Sequence, residues 1–368
     1  YQKLRDIFPQ KESREPYKRI LLVKFWGIGN IVRLSPTLKA IRARFPEAKI
    51  TFITLNRNRG IYEDCGLYDE ALYLKLDSIR AFLWDIIKKF FILRAKKFDL
   101  VIDLEPLANF AEIVTFYVGV GARVGFNMTG RRSLFTIKAP FREDEHISKS
   151  FFRILSPFGV IISDELLPLP IPLEDKDRQY TERLLSDESI DAKSLIVGMN
   201  VNASNVADAR RWPPEKFAQL ADRIAEELKA QLIYIGAPDE RERVQNVIDN
   251  TSNGGVNIAG RTSLKQTIAA MEMMNIFITN DSGPMHLAMA MGIPTVAIFG
   301  PESPVRYGPI SDKHIAIFKN YDCSPCIFFV QAKKIKCRQD AKCIRDITVD
   351  EVFEGVKTLY QRWLKEKS

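Results

Sequence analysis

The chain has 368 residues, of which 46% are hydrophobic and 27% charged, and its formal net charge is +8. This length favours two domains, and the composition is that of a soluble globular protein. No stretch has the ~20 uninterrupted apolar residues of a transmembrane helix, and the charged first residues do not resemble a secretory signal. We therefore expect a cytoplasmic protein.

The positive charge is concentrated in the first half of the chain. Residues 1–170 carry 28 Lys and Arg against 19 Asp and Glu, a net +9, whereas residues 171–368 carry 26 against 27, a net −1. A basic half suits an anionic partner such as a membrane surface or a phosphorylated glycan, and a solvated basic surface is an equal alternative. Stacking aromatics in a recognisable nucleic-acid-binding module do not accompany the charge, so we expect no nucleic acid as partner.

The first half alternates apolar runs with helical patterns. Apolar runs predict strands at residues 19–24, 49–54, 70–74 and 100–104, and a helix at 31–44 follows the first strand. A second helix, at residues 79–98, is amphipathic and basic. This pattern is typical of a surface helix packed on a sheet, and also of attachment to an anionic membrane surface. Strands separated by helices predict a parallel sheet covered on both faces.

The pattern restarts after Leu166–Leu173, which has three prolines in eight residues and reads as an extended linker. The predicted strands lie at 194–200, 231–236, 256–260, 276–278 and 295–299, and the helices at 214–228, 240–250, 285–291 and 349–365. The predicted fold class is α/β, with two Rossmann-like, doubly wound domains at residues 1–170 and 171–368. We expect them to face a central cleft that holds a ligand at the carboxyl ends of their strands.

The most informative segment, residues 276–300, reads as strand, turn, helix and strand. The turn at Asp281–Pro284 places the first turn of a helix at the carboxyl edge of the sheet, where free backbone N–H groups and the helix dipole favour a phosphate. Gly283 lets a ligand approach the main chain, Ser282 adds a hydroxyl, and Pro284 suits the first helical position. His286, one turn into this helix, is placed to bond to the loop or to a ligand. The alternative is an ordinary βαβ connection.

A second polar segment follows the strand at 194–200. Ser204 offers a hydroxyl, and Arg210 and Arg211 can neutralise phosphate through charge-assisted hydrogen bonds. After the next strand, Glu240 or Glu242 offers a carboxylate where a ribose would lie, or serves as an acidic residue at a helix N-terminus. These residues predict a phosphate and nucleotide site in the second domain.

Two other patterns are weaker. Gly27-Ile-Gly29 lacks the third glycine of the dinucleotide fingerprint, and a matching acidic residue ~20 positions later is not evident, so NAD is not expected. A Cys-x-x-Cys pair followed by two further cysteines can bind zinc through four thiolates. The spacing between the third and fourth of these cysteines is too wide for a familiar zinc ribbon, which favours thiols or disulfides that stabilise a loop. We therefore expect neither a cofactor nor a metal. The four cysteines are Cys323, Cys326, Cys337 and Cys343.

Over nearly its whole length the chain resembles glycosyltransferase family 9, the ADP-heptose:lipopolysaccharide heptosyltransferases. The matching segments are Ile20–Lys24, Gly27–Asn30, Ser35-Pro36, Asp99–Leu104, Arg123–Phe126, Arg210–Pro213, Ala259–Leu264 and Asn280–His286. The resemblance implies a GT-B architecture, with the acceptor bound by the N-terminal domain and the nucleotide sugar by the C-terminal one. It also implies inverting transfer without an essential metal. It places Arg210, Thr262 and Asp281–Gly283 at the donor, and Gly29 with Asn30 on the acceptor side.

The chain departs from the family at the position of the proposed general base. The family commonly has Asp after the glycine of the first crossover, whereas this chain has Asn30, which cannot usefully accept a proton at neutral pH. Asp103 and Glu105 follow the fourth predicted strand and are the replacement candidates. We favour Glu105, which projects from the strand end, and keep Asp103 in reserve. The alternative is that Glu105 solvates a loop.

The predicted function is transfer of a sugar, a heptose by the resemblance, from an ADP-linked donor to a lipopolysaccharide or other envelope glycan. The basic first half and the helix at 79–98 predict an enzyme held on the inner face of the cytoplasmic membrane. The alternative, suggested by Asn30, is a catalytically silent homologue that binds a nucleotide or glycan as a regulator or assembly partner.

Overall fold

The computed structural model describes residues 15–76, 78–106, 109–128, 134–163, 166–203, 208–327, 337 and 339–367. The chain divides between Pro168 and Leu169 into two compact units, here called unit 1 and unit 2. This boundary lies inside the proline-rich segment.

Unit 1 is built on a six-stranded parallel sheet with the strand order β3-β2-β1-β4-β5-β6. Its strands are β1 (Arg19–Val23), β2 (Lys49–Leu55), β3 (Glu70–Leu74), β4 (Leu100–Asp103), β5 (Ala122–Asn127) and β6 (Ile137–Pro140). Its helices are α1 (Ile28–Arg44), α2 (Ile79–Ala95), α3 (Asn109–Tyr117) and α4 (Ile147–Phe152). The order runs outward from β1 in both directions, which is the doubly wound topology.

Unit 2 repeats this topology with the order β12-β11-β10-β7-β8-β9, all parallel. Its strands are β7 (Ile196–Asn200), β8 (Gln231–Tyr234), β9 (Val256–Asn257), β10 (Ile276–Asn280), β11 (Thr295–Phe299) and β12 (Ile315–Phe318). Its helices are α5 (Asp175–Asp187), α6 (Pro214–Leu228), α7 (Arg241–Ile248), α8 (Leu264–Glu272), α9 (Gly283–Ala290), α10 (Pro304–Tyr307), α11 (Lys342–Arg345) and α12 (Val349–Lys367). Both units therefore carry the predicted Rossmann-like arrangement.

The central strands are apolar over most of their length because helices cover both faces of each sheet. In β1, Ile20–Val23 are completely buried, and in β10 the same holds for Ile276–Ile278. The last helix, α12, packs Val352, Phe353 and Val356 into the core of unit 2. Each sheet thus has its own core.

Three strands, β5, β6 and β12, escape prediction from the sequence. In β5, Arg123 and Gly125 interrupt the apolar run, although Arg123 is completely buried. Its guanidinium donates to the carbonyls of Val120 and Leu134, so the charge is satisfied by backbone that the sequence pattern does not reveal. The predicted helices of the first crossover and of the phosphate segment begin three and two residues earlier than expected, at Ile28 and Gly283.

Within the described residues, none of the helices is both long enough and apolar enough to cross a membrane.

Candidate functional site

The turn after β10 has the geometry of an anion site. Ser282 is the extended residue before α9, and Gly283 and Pro284 form its first turn. The first N–H groups of a helix lack intrahelical partners and carry the positive end of its dipole. Asp281 donates its N–H to the Ile298 carbonyl at 3.0 Å, which ties the turn to β11. The predicted phosphate turn is therefore a fixed helix N-terminus at the carboxyl end of the sheet.

Arg210 lies against this turn. Its Nη2 is 2.6 Å from Oδ2 of Asp281, and its side chain is 19% exposed. Burial alone would lower the pKa of Arg210, but the carboxylates of Asp281 and Glu302 outweigh burial and raise it. A permanently charged guanidinium thus stands beside the N-terminus of α9, an arrangement suited to a diphosphate.

Asparagines at the ends of β7 and β10 hold the two strands together. The Nδ2 of Asn200 donates to Oγ1 of Thr279 and to Oγ of Ser282, both at 2.9 Å. The Oδ1 of Asn280 accepts from the N–H of Trp212 at 3.0 Å, and its Nδ2 donates to Val201 O at 3.2 Å. This network fixes the segment that carries Arg210 against the turn, so the site is preorganised.

Asn202 differs from its neighbours because its side-chain amide is unsatisfied. The residue is 2% exposed, and neither Oδ1 nor Nδ2 has a hydrogen-bond partner in the part of the chain that the structure describes. A Cβ added at Gly236, after β8, would lie 3.3 Å from its Nδ2. Leaving a buried amide without a hydrogen bond costs about 1–3 kcal/mol. We therefore expect a polar group of a ligand to bond to the amide of Asn202.

The other predicted donor residues are held by the protein itself. Arg211 donates through Nε and Nη2 to the Ala203 carbonyl at 3.3 and 3.0 Å. Glu240 accepts from the N–H of Ala237 at 2.8 Å, and Thr262 bonds to Thr267 at 2.7 Å. His286 is buried within α9. Ser204 lies outside the described residues.

In unit 1, Asn30 lies in the first turn of α1. Its Oδ1 accepts from Nη2 of Arg33 at 2.6 Å, and Nε of Arg33 donates to the carbonyl of Gly29 at 3.3 Å. Gly27, before the helix, has a φ of +83°, a conformation that favours glycine. Gly29 and Asn30, which are predicted to lie on the acceptor side, thus stand at a helix N-terminus with an arginine bonded across it.

Glu105 is buried and fully engaged. Its Oε1 accepts from the N–H groups of Phe25 and Trp26 at 2.8 and 2.7 Å, and its Oε2 is 2.8 Å from Nζ of the completely buried Lys24. These contacts fix the main chain between β1 and α1. Glu105 therefore does not solvate a loop, and its proposed role as base stays a prediction.

Asp103, the reserve candidate, is completely buried at the end of β4. Its Oδ1 accepts from the N–H of Glu105 at 2.8 Å, and its Oδ2 has no hydrogen-bond partner among the described residues. Burial raises the pKa of Asp103 well above its usual range, although the hydrogen bond from Glu105 opposes this shift. A carboxyl in this position favours its protonated form.

All five cysteines are thiols. Burial, and then the neighbouring thiols, raise the pKa of Cys326, and burial raises that of Cys343 to about 11. In the described ranges, which omit 328–336 and 338, a group of three or more His, Cys, Asp or Glu able to hold a metal is absent. The expectation of no cofactor stays a prediction.

Sequence reasoning missed the asparagine network. Asn200, Asn202 and Asn280 each follow or end a buried strand, and polar residues at that position mark the carboxyl edge of a parallel sheet. That signal was present in the sequence, but the spacing does not say which of the amides are satisfied.

Comparison with known proteins places the chain among sugar transferases. The sequence model of the family described as glycosyltransferase family 9 (heptosyltransferase) matches residues 87–336. Lipopolysaccharide heptosyltransferase 2 of Escherichia coli (strain K12) is 24% identical over 311 residues, which cover 80% of this chain and 86% of that protein.

Two solved structures share the fold. The glycosyl transferase family 9 protein from Veillonella parvula DSM 2008 has a TM-score of 0.80 and 24% identity, covering 96% of this chain and 100% of that one. The E. coli ADP-heptose lps heptosyltransferase II has a TM-score of 0.76 and 21% identity, covering 95% and 100%. The predicted fold class, α/β with two Rossmann-like units of the GT-B kind, is confirmed.

Proposed function

The chain belongs to glycosyltransferase family 9, the heptosyltransferases, and on this premise we propose that it transfers a heptose from ADP-heptose to a lipopolysaccharide acceptor with inversion. The proposed acceptor follows the relative described as a lipopolysaccharide heptosyltransferase. The proposed donor follows the solved structure whose description names ADP-heptose.

One observation carries the proposal: a charged arginine, Arg210, is fixed beside the N-terminus of α9 by Asp281. When the bond between the sugar and the diphosphate breaks, the leaving diphosphate gains negative charge. The guanidinium of Arg210 and the free N–H groups of α9 stand ready to stabilise that charge without rearrangement. We propose that they do so without a metal ion.

The proposed reaction is a single displacement. The acceptor hydroxyl attacks the anomeric carbon on the face opposite the diphosphate, the bond to the diphosphate breaks, and the hydroxyl proton passes to a base. We keep Glu105 as the proposed base. Asp103 stays in reserve, because burial favours its protonated form, which cannot accept the hydroxyl proton. For Glu105 to take the proton, its Oε2 has to exchange Lys24 for the acceptor hydroxyl.

The test measures release of nucleoside diphosphate and formation of glycosylated product from ADP, GDP and UDP sugars, with a deacylated lipopolysaccharide acceptor. We expect turnover with the ADP sugar, undiminished by a chelator. Arg210→Met should lower kcat/KM by about 10²-fold, by loss of charge stabilisation. The matched control is Arg178→Met, which removes a partly exposed ion pair with Glu272 in the same unit and should leave turnover unchanged.

The outcomes separate the two candidate functions. Binding of ADP or its sugar without any product indicates the silent homologue, which the amide of Asn30 favours. Failure to bind any nucleoside diphosphate overturns the transferase and the nucleotide-binding form of the silent homologue.

A further inference from the structure

Helix α2 of unit 1 has apolar side chains on two opposite faces. Phe82, Ile86 and Leu93 pack toward the sheet in the core of unit 1. A surface helix with its inner face buried normally has a polar outer face. Here the outer face instead carries Trp84, Ile87 and Phe91, whose exposed fractions are 76%, 50% and 67%. Their spacing of three and four residues places them on one stripe.

A groove runs between α2 and α3 beside this stripe. Its volume is about 300 Å³, and every described residue that lines it is aliphatic or aromatic. The lining comprises Ile86, Ile87, Phe90, Phe91 and Leu93 from α2, with Phe110, Ile113, Val114 and Tyr117 from α3. Stripe and groove form one continuous apolar surface, because Ile87 and Phe91 belong to both. Soluble proteins rarely expose such a surface without a binding function.

Two exposed basic side chains flank the stripe. Arg80 and Lys88 are exposed and lie one turn before and one turn after Trp84. Residues 79–97 carry six Lys and Arg against one Asp, and residues 1–170 have a net charge of +9. The one acidic residue of the helix, Asp85, is paired with Lys89 at 3.1 Å. The charge around the apolar surface is therefore positive.

We propose that the outer face of α2 and the groove against α3 form a docking surface for an anionic lipid membrane. Trp84, Ile87 and Phe91 enter the boundary between headgroups and acyl chains, while Arg80 and Lys88 contact lipid phosphates. A protein partner or a second copy would also cover the apolar stripe, but the positive charge beside the stripe is complementary to anionic headgroups. The inference rests on the proposed function in one respect: a lipopolysaccharide acceptor is carried by a membrane.

The test is flotation of the full chain with vesicles of phosphatidylcholine alone and of phosphatidylcholine with phosphatidylglycerol. We expect the chain to float with the anionic vesicles only. The double variant Trp84→Ser/Phe91→Ser should reduce the bound fraction at least tenfold, since it removes the exposed aromatic area. Arg80→Gln and Lys88→Gln should each weaken binding about fivefold, because each basic residue near such a surface contributes about 1 kcal/mol.

The matched control is Ile161→Ser, which removes an 89% exposed apolar side chain elsewhere in unit 1 and should not change flotation. Failure of the wild type to float with either vesicle overturns the proposal, as does equal flotation of the double variant. Self-association that the double variant abolishes, without vesicle binding, assigns the surface to a second copy instead.

The readout is independent of catalysis. The double variant should glycosylate a water-soluble acceptor at the wild-type rate, because its changed residues lie outside the donor site. Absence of turnover in the wild type defeats the proposed function, and the flotation result is then judged separately.

Discussion

Three asparagines at the unit 2 site differ in whether their amides are satisfied, and that difference leads to a prediction. Asn200 and Asn280 are bonded to the protein, whereas the amide of Asn202 is buried without a partner among the described residues. Asn202→Ala should therefore weaken ADP binding about tenfold by removing a hydrogen bond to the ligand, and leave the thermal stability of the ligand-free protein unchanged or higher. Calorimetric titration with ADP and a thermal melt measure the two effects.

Asn200→Ala is the matched control for Asn202. It breaks bonds to Thr279 and Ser282, so it should lower stability as well as affinity. If Asn202→Ala lowers stability and leaves ADP affinity unchanged, Asn202 has a structural role only.

Glu105 combines a structural contact with a proposed catalytic role, and one substitution tests both. Glu105→Gln removes the negative partner of the buried Lys24, which should lower the free energy of unfolding by about 3 kcal/mol. If Glu105 is the base, the substitution should also lower kcat by about 10²-fold or more and leave the donor affinity unchanged. Chemical denaturation and steady-state kinetics, at a temperature where the variant is folded, measure both.

The double variant Lys24→Met/Glu105→Gln separates the two roles. Removing both charges should restore part of the lost stability without restoring turnover. Turnover at the wild-type rate in folded Glu105→Gln rules out the base assignment. The companion variant Asn30→Asp restores the acid typical of the family, and a large gain in kcat would place the base at that position.

Asp103 gives a prediction for the pH dependence of stability. Burial raises its pKa in the folded protein, so the folded chain holds this proton to a higher pH than the unfolded chain does. The resulting stability is complete below about pH 4, the ordinary carboxyl pKa, and is lost as pH rises through the raised folded pKa. Lys24, Glu105 and Glu112 are the charged groups around it.

The amide in the variant Asp103→Asn cannot ionise, so the variant does not lose this folding stability as the pH rises. Its stability relative to wild type should therefore rise as the pH increases above about 4, by at most about 1.4 kcal/mol per pH unit. Urea unfolding across this range measures the difference. The exposed Asp144→Asn is the control, and parallel stability curves for Asp103→Asn and wild type would contradict the prediction.

At the scale of elements, the sequence predicts those strands and helix starts that a local residue pattern marks. The strands β1, β2, β4 and β10 can be predicted because burial on both faces makes most of their residues apolar. The start of α9 is readable because glycine and proline mark a helix N-terminus. β5 is not readable, since its buried Arg123 depends on carbonyls of Val120 and Leu134 that only the fold brings near.

The same division holds for the candidate sites. Arg210 and Asp281 are predicted from the sequence as phosphate-site residues, but their ion pair joins positions 71 residues apart. The contacts of Glu105 with Phe25 and Trp26 span 80 and 79 residues, and no spacing rule encodes them. The unsatisfied amide of Asn202 depends on its packing beside Gly236, after the neighbouring strand β8. The sequence thus identifies residues that can bind a phosphate or accept a proton, whereas the fold decides which residues bond to one another.

At the scale of the whole molecule, the proposed function assigns donor binding to unit 2 alone, and this assignment can be tested directly. Unit 2, residues 169–368, has a six-stranded sheet and a core that includes α12, the last helix. Arg210, Asp281 and Asn202 all lie in this unit, so a fragment of residues 169–368 should fold alone and bind ADP within about threefold of the full-chain affinity, a difference below about 0.7 kcal/mol. Circular dichroism and calorimetric titration measure folding and binding.

The complementary fragment, residues 1–168, should fold on its own sheet and show no affinity for ADP, because the proposed donor residues are absent from it. Arg210→Met in the 169–368 fragment is the matched control, and should weaken ADP binding by loss of the charge at the α9 N-terminus. ADP binding by the 1–168 fragment would contradict the assignment of the donor to unit 2 alone. A folded 169–368 fragment without ADP affinity would show that unit 2 does not bind the donor by itself. Folding of both fragments with ADP bound by only the second would assign the donor to unit 2.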